Sequence, residues 1–429
     1  MPAPEAAVKI LVLGGGGREH ALCWSLARSA SVDAVLCAPG NAGIAAVADL
    51  RTVDPADPDA VVALARGQGC DLVVVGPEGP LVAGVADALS AAGIAVFGPS
   101  AAAARIEGSK SFAKDVMAAA GVPTAGYWTG TDPVEARRAL DGFTAPYVVK
   151  ADGLAAGKGV RVCADRAAAE AAIDAALVDR AFGAAGAQLV IEEFLDGQEL
   201  SVFVVCGGGR AHLLGEAQDF KRAFDGDAGP NTGGMGAYSP VPAFDADLSR
   251  TVVARIFQPT LDELARRGTP YVGVLYGGLM LTADGPKVFE FNARFGDPEA
   301  QVLLPRFEGD LARLLASCAG AGGDPGAWSW SPQACVTVVL ASGGYPGPYA
   351  TGEPIAGLDA AAAVPDALVF HAGTRREGDR VLTAGGRVLA VSGLGPTIDR
   401  ARTTAYRAAD HIDFAGAHRR TDIAAHPTR

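Results

Sequence analysis

The chain has 429 residues, of which 49% are hydrophobic and 20% are charged, and its formal net charge is -12. This length predicts roughly two to four domains. The acidic balance argues against a protein that coats nucleic acid, since phosphate contacts need a basic surface. A local pocket can still bind a small anion through backbone N–H groups.

Cysteine usage and hydropathy point to a cytoplasmic protein. The seven cysteines are scattered with no Cys-x-x-Cys pair, which indicates reduced thiols rather than a disulfide framework or a zinc site. The N-terminus lacks a basic segment followed by an apolar run, and no apolar run reaches the roughly 20 residues of a membrane span. We therefore expect no contact with membranes or nucleic acid.

About the first hundred residues repeat one unit, in which a short apolar run ends in a Gly/Pro turn and a helix-like segment follows. The apolar runs are residues 9–13, 34–38, 71–75 and 95–97. Alternating strands and helices predict a doubly wound parallel sheet with helices on both faces. Ligands of such sheets bind at the carboxyl ends of the strands, where the turns carry three candidates: residues 14–17, Asn41 and Glu78.

The pattern changes near residues 98–110, and a region of α+β character follows. It combines two glycine-rich loops with the strand-like runs YVVK, QLVIEEFL, SVFVV, GGLMLT and KVFEFN. A Gly/Ala/Pro-rich stretch at 318–327 predicts a linker. After it, CVTVVLAS, LVFHAGT and GGRVLAVSGLG predict a small sheet domain, closed by a helix at about 398–411.

The first glycine-rich turn, GGGGREH, follows a strand and opens a helix, so its backbone N–H groups could cradle a phosphate. A dinucleotide fingerprint needs a third glycine or alanine at a fixed offset, where this chain has Glu19 or His20. The fingerprint fails, which disfavours a nicotinamide dehydrogenase. The turn is a candidate phosphate-binding loop, with a purely structural turn as the alternative.

The loop DGLAAGKGV (152–160) differs from a P-loop, because only three residues separate Gly153 from Gly157 and because Gly159 follows Lys158. The loop comes after the strand YVVK, which ends in Lys150. A lysine beside a flexible glycine loop can neutralise phosphate while the loop closes over it. A mobile surface loop is the alternative, and it is more plausible for Lys158 than for the whole arrangement.

The strand KVFEFN runs into the charged turn ARFGDPEAQ, and together they span residues 287–301. Residues two apart in a strand share a face, so we expect Val288, Glu290 and Asn292 to point one way. Phe289 and Phe291 are then expected to point into apolar packing. A carboxylate and an amide oxygen on one face suit Mg²⁺, which takes water and substrate phosphates as further ligands. An exposed sheet face is the alternative.

The order of the motifs resembles that of an ATP-grasp ligase. GREHAL, APGNAG, VGPE, EGSKSF, VVKADGLAAGKGV, VIEEFLDG, QDFKR, GPNTGGMGAYSP, EFNARFGDPE, GGYPG and FHAGT occur in the order seen in the phosphoribosylamine–glycine ligase family. RFGDPEAQ (294–301) is particularly diagnostic. The resemblance implies an N-terminal α/β substrate-binding domain at 1–107, an ATP-grasp domain at 108–325 with a mobile lid subdomain at about 124–194, and a C-terminal domain at 326–429.

The resemblance implies an activity, in which ATP with Mg²⁺ or Mn²⁺ drives the ligation of glycine to 5-phosphoribosylamine in purine biosynthesis. Glycyl phosphate is the implied intermediate, because a glycine carboxylate is a poor electrophile. We expect a monomer. Another ATP-grasp enzyme, such as a formate ligase or a carboxylase, should lack RFGDPEAQ. A non-catalytic nucleotide-binding module should have lost part of a set that is complete here, namely Lys150, Glu290 and Asn292.

The resemblance also implies roles for individual residues. The residues implied in binding ATP are Lys110, Lys150, Gly157, Lys158, Gly159, Glu192, Glu193, Leu195 and Glu199. The residues implied for the phosphoribosyl group are Gly15, Gly16, Gly17, Asn41, Ala42, Gly43 and Glu78. The residues implied for the glycine and transfer site are Asp219, Lys221, Arg294, Gly296 and Asp297. The implied metal ligands are Glu290 and Asn292. Many ATP-grasp ligases carry a further metal-binding carboxylate on the preceding strand, but YGGLMLT offers none, which leaves one or two metals open.

Overall fold

The N-terminal region is a five-stranded parallel sheet in the order β3-β2-β1-β4-β5. The computed structural model describes residues 8–154 and 159–427. In this region the strands are β1 (Val8–Gly14), β2 (Val32–Pro39), β3 (Asp49–Leu50), β4 (Leu72–Val75) and β5 (Ala95–Phe97). The helices are α1 (Gly17–Leu26), α2 (Pro58–Gln68), α3 (Glu78–Val82), α4 (Val85–Ala91) and α5 (Ala101–Gly108). The predicted doubly wound parallel sheet is confirmed, and β3 is a strand that the apolar pattern does not predict.

Local sequence explains why these elements form where they do. The central residues of β1, from Ile10 to Leu13, are fully buried, as expected for a strand covered by helices on both faces. Asp57 caps α2 by accepting a hydrogen bond from the Ala60 N–H, and Gly69 ends that helix in a left-handed conformation with φ +63°. Because β1 and β4 pair in parallel, the turns that follow them lie side by side at the carboxyl edge, where ligands of such sheets bind.

The next region is a separate four-stranded antiparallel sheet in the order β6-β9-β7-β8. Helix α6 (Lys110–Ala120) leads into it. Its elements are β6 (Tyr127–Gly130), α7 (Pro133–Ala139), β7 (Tyr147–Ala151), β8 (Val160–Cys163), α8 (Arg166–Ile173) and β9 (Leu189–Glu193). It has its own hydrophobic core, built within residues 136–191. We call this unit the lid sheet, because it carries the loop 152–160 between β7 and β8.

The rest of the chain is dominated by an eight-stranded antiparallel sheet in the order β16-β15-β10-β11-β14-β19-β23-β20. In chain order the elements are β10 (Gln198–Gly207), β11 (Arg210–Asp219), β12 (Arg222–Phe224), β13 (Ala228–Asn231), β14 (Gly236–Ser239), α9 (Ala246–Val252), α10 (Gln258–Arg266), β15 (Gly273–Thr282), β16 (Gly285–Asn292), α11 (Ala300–Leu303), β17 (Phe307–Glu308), α12 (Leu311–Cys318), β18 (Ser329–Trp330), β19 (Ala334–Ala341), α13 (Leu358–Ala362), β20 (Ala367–His371), β21 (Thr374–Glu377), β22 (Arg380–Thr383), β23 (Arg387–Gly395) and α14 (Ile398–Ala409).

The C-terminal strands extend the central sheet. β14 pairs with β19, and β19 pairs on its other side with β23. All eight residues of β19 are buried, because this strand has a partner on each edge and packing on both faces. Strand pairing also continues across the predicted boundary at 325/326, since β17 pairs with β18. Within the described part of the chain, no helix is long and apolar enough to cross a bilayer.

Candidate active site

The end of β16 presents a carboxylate and an amide on one face of the sheet. Glu290 is paired with Gly278 and Asn292 with Tyr276, so the two side chains lie on the same side of the strand. Among the described residues no group of three or more His, Cys, Asp or Glu side chains could hold a metal ion. A metal held by Glu290 and Asn292 would therefore take its remaining ligands from substrate and water.

A β-bulge at Phe289 changes which side chains share that face. The neighbours Val288 and Glu290 pair with successive residues of β15, so Phe289 has no partner of its own. A Cβ built on Gly278 would lie 2.8 Å from the Phe289 ring and 2.9 Å from Glu290 Cγ. Phe289 therefore lies on the ligand face, and Val288 lies in the core, fully buried. The predictions for these two residues are wrong, whereas Phe291 is buried as predicted.

Glu192, on β9, lies between two lysines. Lys150 Nζ, from β7, is 2.8 Å from Glu192 Oε2, and Lys114 Nζ, from α6, is 3.1 Å from Oε1. The Lys114 contact is an ion pair without hydrogen-bond geometry, so Oε1 has no hydrogen-bond donor in the described part of the chain. Burial alone would raise the pKa of Glu192, but Lys150 and Lys114 hold it below its ordinary value. The site thus contains a buried carboxylate with one oxygen, Oε1, that accepts no hydrogen bond from the described residues.

Two lysines lie between Glu192 and the strand that carries Glu290 and Asn292. Lys150 Nζ also donates a hydrogen bond of 2.9 Å to the carbonyl oxygen of the bulged Phe289. Lys110 Nζ donates to the Gly153 carbonyl at 3.1 Å, at the start of the lid loop. Burial lowers the pKa of Lys110, and the Glu290 carboxylate opposes that effect. Each ammonium group has three N–H donors, so after these contacts each keeps at least one donor for a further acceptor such as a phosphate oxygen.

The remaining residues that were predicted to bind the nucleotide lie around the lid loop and the end of β9. The Gly159 carbonyl accepts a hydrogen bond of 2.8 Å from the Ala151 N–H, whereas Gly157 and Lys158 lie outside the described residues. The Glu193 carboxylate accepts a 3.0 Å hydrogen bond from the backbone of Gly126. Leu195 is buried. Glu193 is therefore engaged in holding the lid sheet to its entry segment.

Lys221 joins two predicted subsites. Its Nζ lies 3.0 Å from Glu199 Oε2 and 3.1 Å from Asp219 Oδ1, and 5.3 Å from the centroid of the Phe289 ring. Burial lowers the pKa of Lys221, but the two carboxylates outweigh it and raise that pKa well above its ordinary value. The Glu199 side chain is 43% exposed, so it can still reach a ligand.

Arg294 connects the end of β16 to the N-terminal domain. Its Nη2 lies 3.0 Å from Glu107 Oε1, its Nε donates to Glu78 at 3.1 Å, and its Nη1 donates to the Phe295 carbonyl at 3.2 Å. Glu107 is buried and also accepts a 2.7 Å hydrogen bond from the Ala293 N–H. Burial would lower the pKa of Arg294, but Glu107 and Glu78 raise it. The guanidinium is therefore held in place by three contacts and remains charged.

Asp297 is held by the C-terminal domain. Its Oδ2 lies 3.2 Å from Arg387 Nη2, and its carbonyl oxygen accepts a 2.6 Å hydrogen bond from Arg387 Nη1. Its Oδ1 accepts a 2.6 Å hydrogen bond from Gln301 Nε2. A Cβ on Gly16 would lie 3.4 Å from Asp297 Oδ2. Asp297 therefore joins the charged turn to the first glycine loop.

Gly296 makes room for a buried carboxylate. A Cβ at this position would lie 2.4 Å from Glu299 Oε2, and Glu299 is 3% exposed. Burial and the nearby Asp219 carboxylate raise the pKa of Glu299 to about 7. The absence of a side chain at Gly296 thus leaves room for the Glu299 carboxylate.

The first glycine loop is closely packed against its surroundings. The Gly16 N–H donates a 2.6 Å hydrogen bond to Glu19 Oε2, which caps the helix that Gly17 begins. A Cβ on Gly15 would lie 2.5 Å from the Gly40 carbonyl oxygen, so a larger residue would clash with backbone. One N–H group of the predicted phosphate cradle is therefore already bound by a carboxylate.

Asn41 shapes its own turn. Its side-chain Nδ2 donates to the carbonyl oxygens of Gly15 and His371 at 2.9 and 2.8 Å. Its Oδ1 accepts from the N–H groups of Gly43 and Ile44 at 2.9 and 3.0 Å. Both amide donors and both lone pairs of the side chain are used inside the protein. Asn41 therefore orients the turn, which also contains the buried Ala42.

A pair of buried histidines underlies this turn. His20 Nδ1 accepts a 2.7 Å hydrogen bond from the His371 N–H. Burial lowers the pKa of His20 to about 3 and that of His371 to about 4, so both rings are neutral. A Cβ on Gly43 would lie 2.4 Å from the His371 ring and 2.6 Å from His20. Gly43 is therefore needed for close packing.

Sequence reasoning does not identify three residues of this site, namely Lys114, Glu107 and Arg387. Lys114 lies one helical turn after Lys110 on α6, and that spacing places both on one helix face. This spacing could have identified Lys114 from the sequence. The partners of Glu107 and Arg387 lie 187 and 90 positions away in sequence, at Arg294 and Asp297, so no local pattern reveals them.

Comparison with known proteins agrees with this architecture. The chain matches three family models: phosphoribosylglycinamide synthetase N domain at residues 8–107, its ATP-grasp (A) domain at 108–300, and its C domain at 335–426. It is 58% identical to a phosphoribosylamine–glycine ligase of Streptomyces coelicolor over 97% of this chain and 99% of the relative. It is 51% identical to that of Caulobacter vibrioides, over 96% and 97%.

A solved structure agrees in the same way. The crystal structure of phosphoribosylamine–glycine ligase from Thermotoga maritima superposes with a TM-score of 0.85 at 33% identity, covering 97% of this chain and 100% of that one. The three-domain architecture and the ATP-grasp ligase activity inferred from motif order are thereby confirmed. The chain belongs to the phosphoribosylamine–glycine ligase family, whose members are ATP-dependent ligases of purine biosynthesis.

Proposed function

We propose that this chain ligates glycine to 5-phosphoribosylamine, giving glycinamide ribonucleotide, ADP and phosphate through glycyl phosphate. The observation that carries the proposal is the position of Lys150. Its ammonium group contacts Glu192 at 2.8 Å and the carbonyl oxygen of the bulged Phe289 at 2.9 Å. One lysine thus spans from a carboxylate suited to a purine amino group to the strand that carries Glu290 and Asn292.

The residues present fit Mg·ATP. The unused lone pair of Glu192 Oε1 suits the 6-amino donor of adenine. Lys110 and Lys150 suit the phosphates, with the loop that includes Gly157, Lys158 and Gly159 as the cover, and Glu199 suits the ribose hydroxyls. The adenine edge is completed by the chain around Glu193 and Leu195.

Glu290 and Asn292 are the proposed ligands of Mg²⁺ or Mn²⁺, which when bound would offset charge on the transferring phosphoryl group. Lys110 and Lys150 neutralise phosphate oxygens, and closure of the loop 152–160 excludes water from glycyl phosphate. The amine of phosphoribosylamine then forms the C–N bond as phosphate leaves. No protein nucleophile is needed.

Asp219, Lys221, Arg294, Gly296 and Asp297 form the proposed glycine and transfer site. Arg294 is charged and fixed, and two of the five N–H bonds of its guanidinium remain for a ligand oxygen after the three contacts above. Lys221 and Asp219 carry opposite charges 3.1 Å apart, an arrangement that suits a zwitterion such as glycine.

The turns at the carboxyl edge of the N-terminal sheet are the proposed phosphoribosyl site. Gly15, Gly17 and Ala42 contribute backbone groups. Asn41, the capped Gly16 and Gly43, whose N–H is bound by Asn41, act by shaping those turns. Glu78 contributes a carboxylate that is 36% exposed, which suits ribose hydroxyls. We further propose a cytoplasmic monomer divided at 107/108 and 325/326. The seven free thiols support the location.

The test is release of ADP and product mass with Mg·ATP, glycine and phosphoribosylamine made in situ. We expect ADP release that requires both substrates and a product with the mass of glycinamide ribonucleotide. ADP release that is indifferent to glycine would refute the proposal. Formate and bicarbonate in place of glycine serve as controls, because they are the carboxyl substrates of the rival ATP-grasp activities.

A further inference from the structure

We propose that Lys114 is a positioning residue that makes the nucleotide site selective for 6-amino purines over 6-oxo purines, by fixing Glu192 as a carboxylate with one lone pair directed at the base. The inference rests on the proposed binding of ATP next to Glu192. It extends that proposal, because it assigns nucleotide selectivity to a residue on α6, outside both the lid sheet and the predicted nucleotide-binding set.

Lys114 is itself rigidly held. It is 1% exposed, and its Nζ donates a 2.7 Å hydrogen bond to Thr124 Oγ1. Thr124 in turn donates to the Val288 carbonyl at 2.5 Å, and the Lys114 ammonium lies 5.3 Å from the centroid of the Tyr127 ring. The ammonium therefore occupies one place, set by α6, by the entry to the lid sheet and by β16.

Two lysines from two different elements fix the carboxylate. Lys150 Nζ lies 2.8 Å from Oε2, and Lys114 Nζ lies 3.1 Å from Oε1, so each oxygen atom is attracted by one ammonium group. With positive charge on both sides, Glu192 stays ionised although it is 2% exposed. An ionised carboxylate has acceptors and no donor.

The unused lone pair decides which purine fits. A buried acceptor without a donor is unfavourable, so a ligand that supplies an N–H group to Glu192 Oε1 is favoured. The 6-amino group of adenine supplies one. A 6-oxo group would place its own acceptor oxygen next to Glu192 Oε1. The two oxygen atoms would then repel each other, and neither would gain a hydrogen bond.

Loss of Lys114 is expected to loosen this selection without removing the phosphate sites. Glu192 would then have only Lys150 as a partner, and both its oxygen atoms could turn towards that lysine. Lys110 and Lys150 would still face the triphosphate. The effect should therefore appear in the ratio of affinities for two nucleotides that differ only at position 6 of the purine.

The test is titration calorimetry of the full chain with ATP and with inosine triphosphate, in the presence of Mg²⁺. For the unaltered protein we expect ATP to bind about 10- to 100-fold more tightly, as a charged hydrogen bond gained or lost predicts. Lys114→Met should reduce that ratio by about fivefold or more, and Lys114→Arg should retain most of it. Lys9→Met, at the distant start of β1, is the matched control and should leave the ratio unchanged.

Glu192→Gln gives an independent reading, because an amide can donate to a 6-oxo group. It should bring the two affinities close together. If a folded Lys114→Met protein keeps the full ratio, or if the unaltered protein binds both nucleotides equally, the inference is overturned while the ligase proposal stands. If neither nucleotide binds, the proposed function fails as well. Purine riboside triphosphate lacks the 6-substituent and should bind the unaltered protein more weakly than ATP. This comparison tests the contact at position 6 without any substitution in the protein.

Discussion

Replacing Arg294 with methionine should destabilise the protein by leaving a buried carboxylate without its counter-charge. Arg294 is 18% exposed and Glu107 is 6% exposed, with 3.0 Å between Nη2 and Oε1. Breaking a buried ion pair from one side costs about 3–5 kcal/mol. The pair with Glu78 adds about 1 kcal/mol or less, because Glu78 is 36% exposed. We therefore expect a loss of about 3–5 kcal/mol at pH 8.

The loss should depend on pH in a defined direction. Burial raises the pKa of Glu107, and Arg294 lowers it in part. When a carboxyl group has a raised pKa in the folded state, the folded protein loses stability as the pH rises through that pKa. Without Arg294 the pKa of Glu107 rises further, so the penalty of Arg294→Met should be smaller at pH 5 than at pH 8.

The measurement is urea denaturation at both pH values, with unfolding monitored by circular dichroism and by tryptophan fluorescence. Coincident curves would show one cooperative transition, from which a single free energy of unfolding can be read. The double variant Arg294→Met/Glu107→Gln should recover about 2 kcal/mol or more, since the uncompensated charge is gone. A loss below about 1 kcal/mol, an equal loss at pH 5, or no recovery in the double variant would refute the reasoning.

Three further predictions concern the metal pair, a second carboxylate and a glycine. Glu290→Gln should abolish turnover at saturating Mg²⁺ with an unchanged circular dichroism spectrum, and a retained kcat would show that Glu290 is not a metal ligand. Burial raises the pKa of Glu216 from 4.5 to about 7, so the protein loses stability as the pH rises through that interval, and the loss is complete above it. Thermal melts of Glu216→Gln should therefore show a gain of roughly 2 kcal/mol at pH 8 and little at pH 5, and the reverse order would contradict this cause. Gly43→Ala should lose about 1–3 kcal/mol by denaturant titration, because its Cβ would lie 2.4 Å from the His371 ring. Gly67→Ala on α2, where a Cβ meets nothing within 4 Å, is the control and should not destabilise.

The apolar pattern predicts most of the fold, because burial on both faces imposes continuous apolar runs. The four runs in about the first hundred residues coincide with β1, β2, β4 and β5. The two-residue strand β3 is too short to leave a pattern. The C-terminal strands were likewise predictable, but their pairing with β14 depends on contacts about a hundred residues apart.

The site was predictable where its chemistry is local and not where it depends on the register or on distant partners. The shared face of Glu290 and Asn292 follows from spacing within one strand. The bulge at Phe289 arises from pairing with β15 and reverses the predicted faces of two residues. Asn41 was assigned to a ligand, but its amide is consumed by backbone groups, one of them at His371.

The pairing of β14 with β19 also determines where this chain can be cut. A fragment that ends before residue 334 would leave the edge of Gly236–Ser239 without its partner strand. That edge would present a row of unpaired N–H and C=O groups, a template for association with other chains. The hydrophobic cluster that packs against it also draws on Val336, Val338 and Ala401. The boundary of the C domain in the family comparison is therefore not a boundary of independent folding, and a truncated ATP-grasp region should be recovered as aggregate.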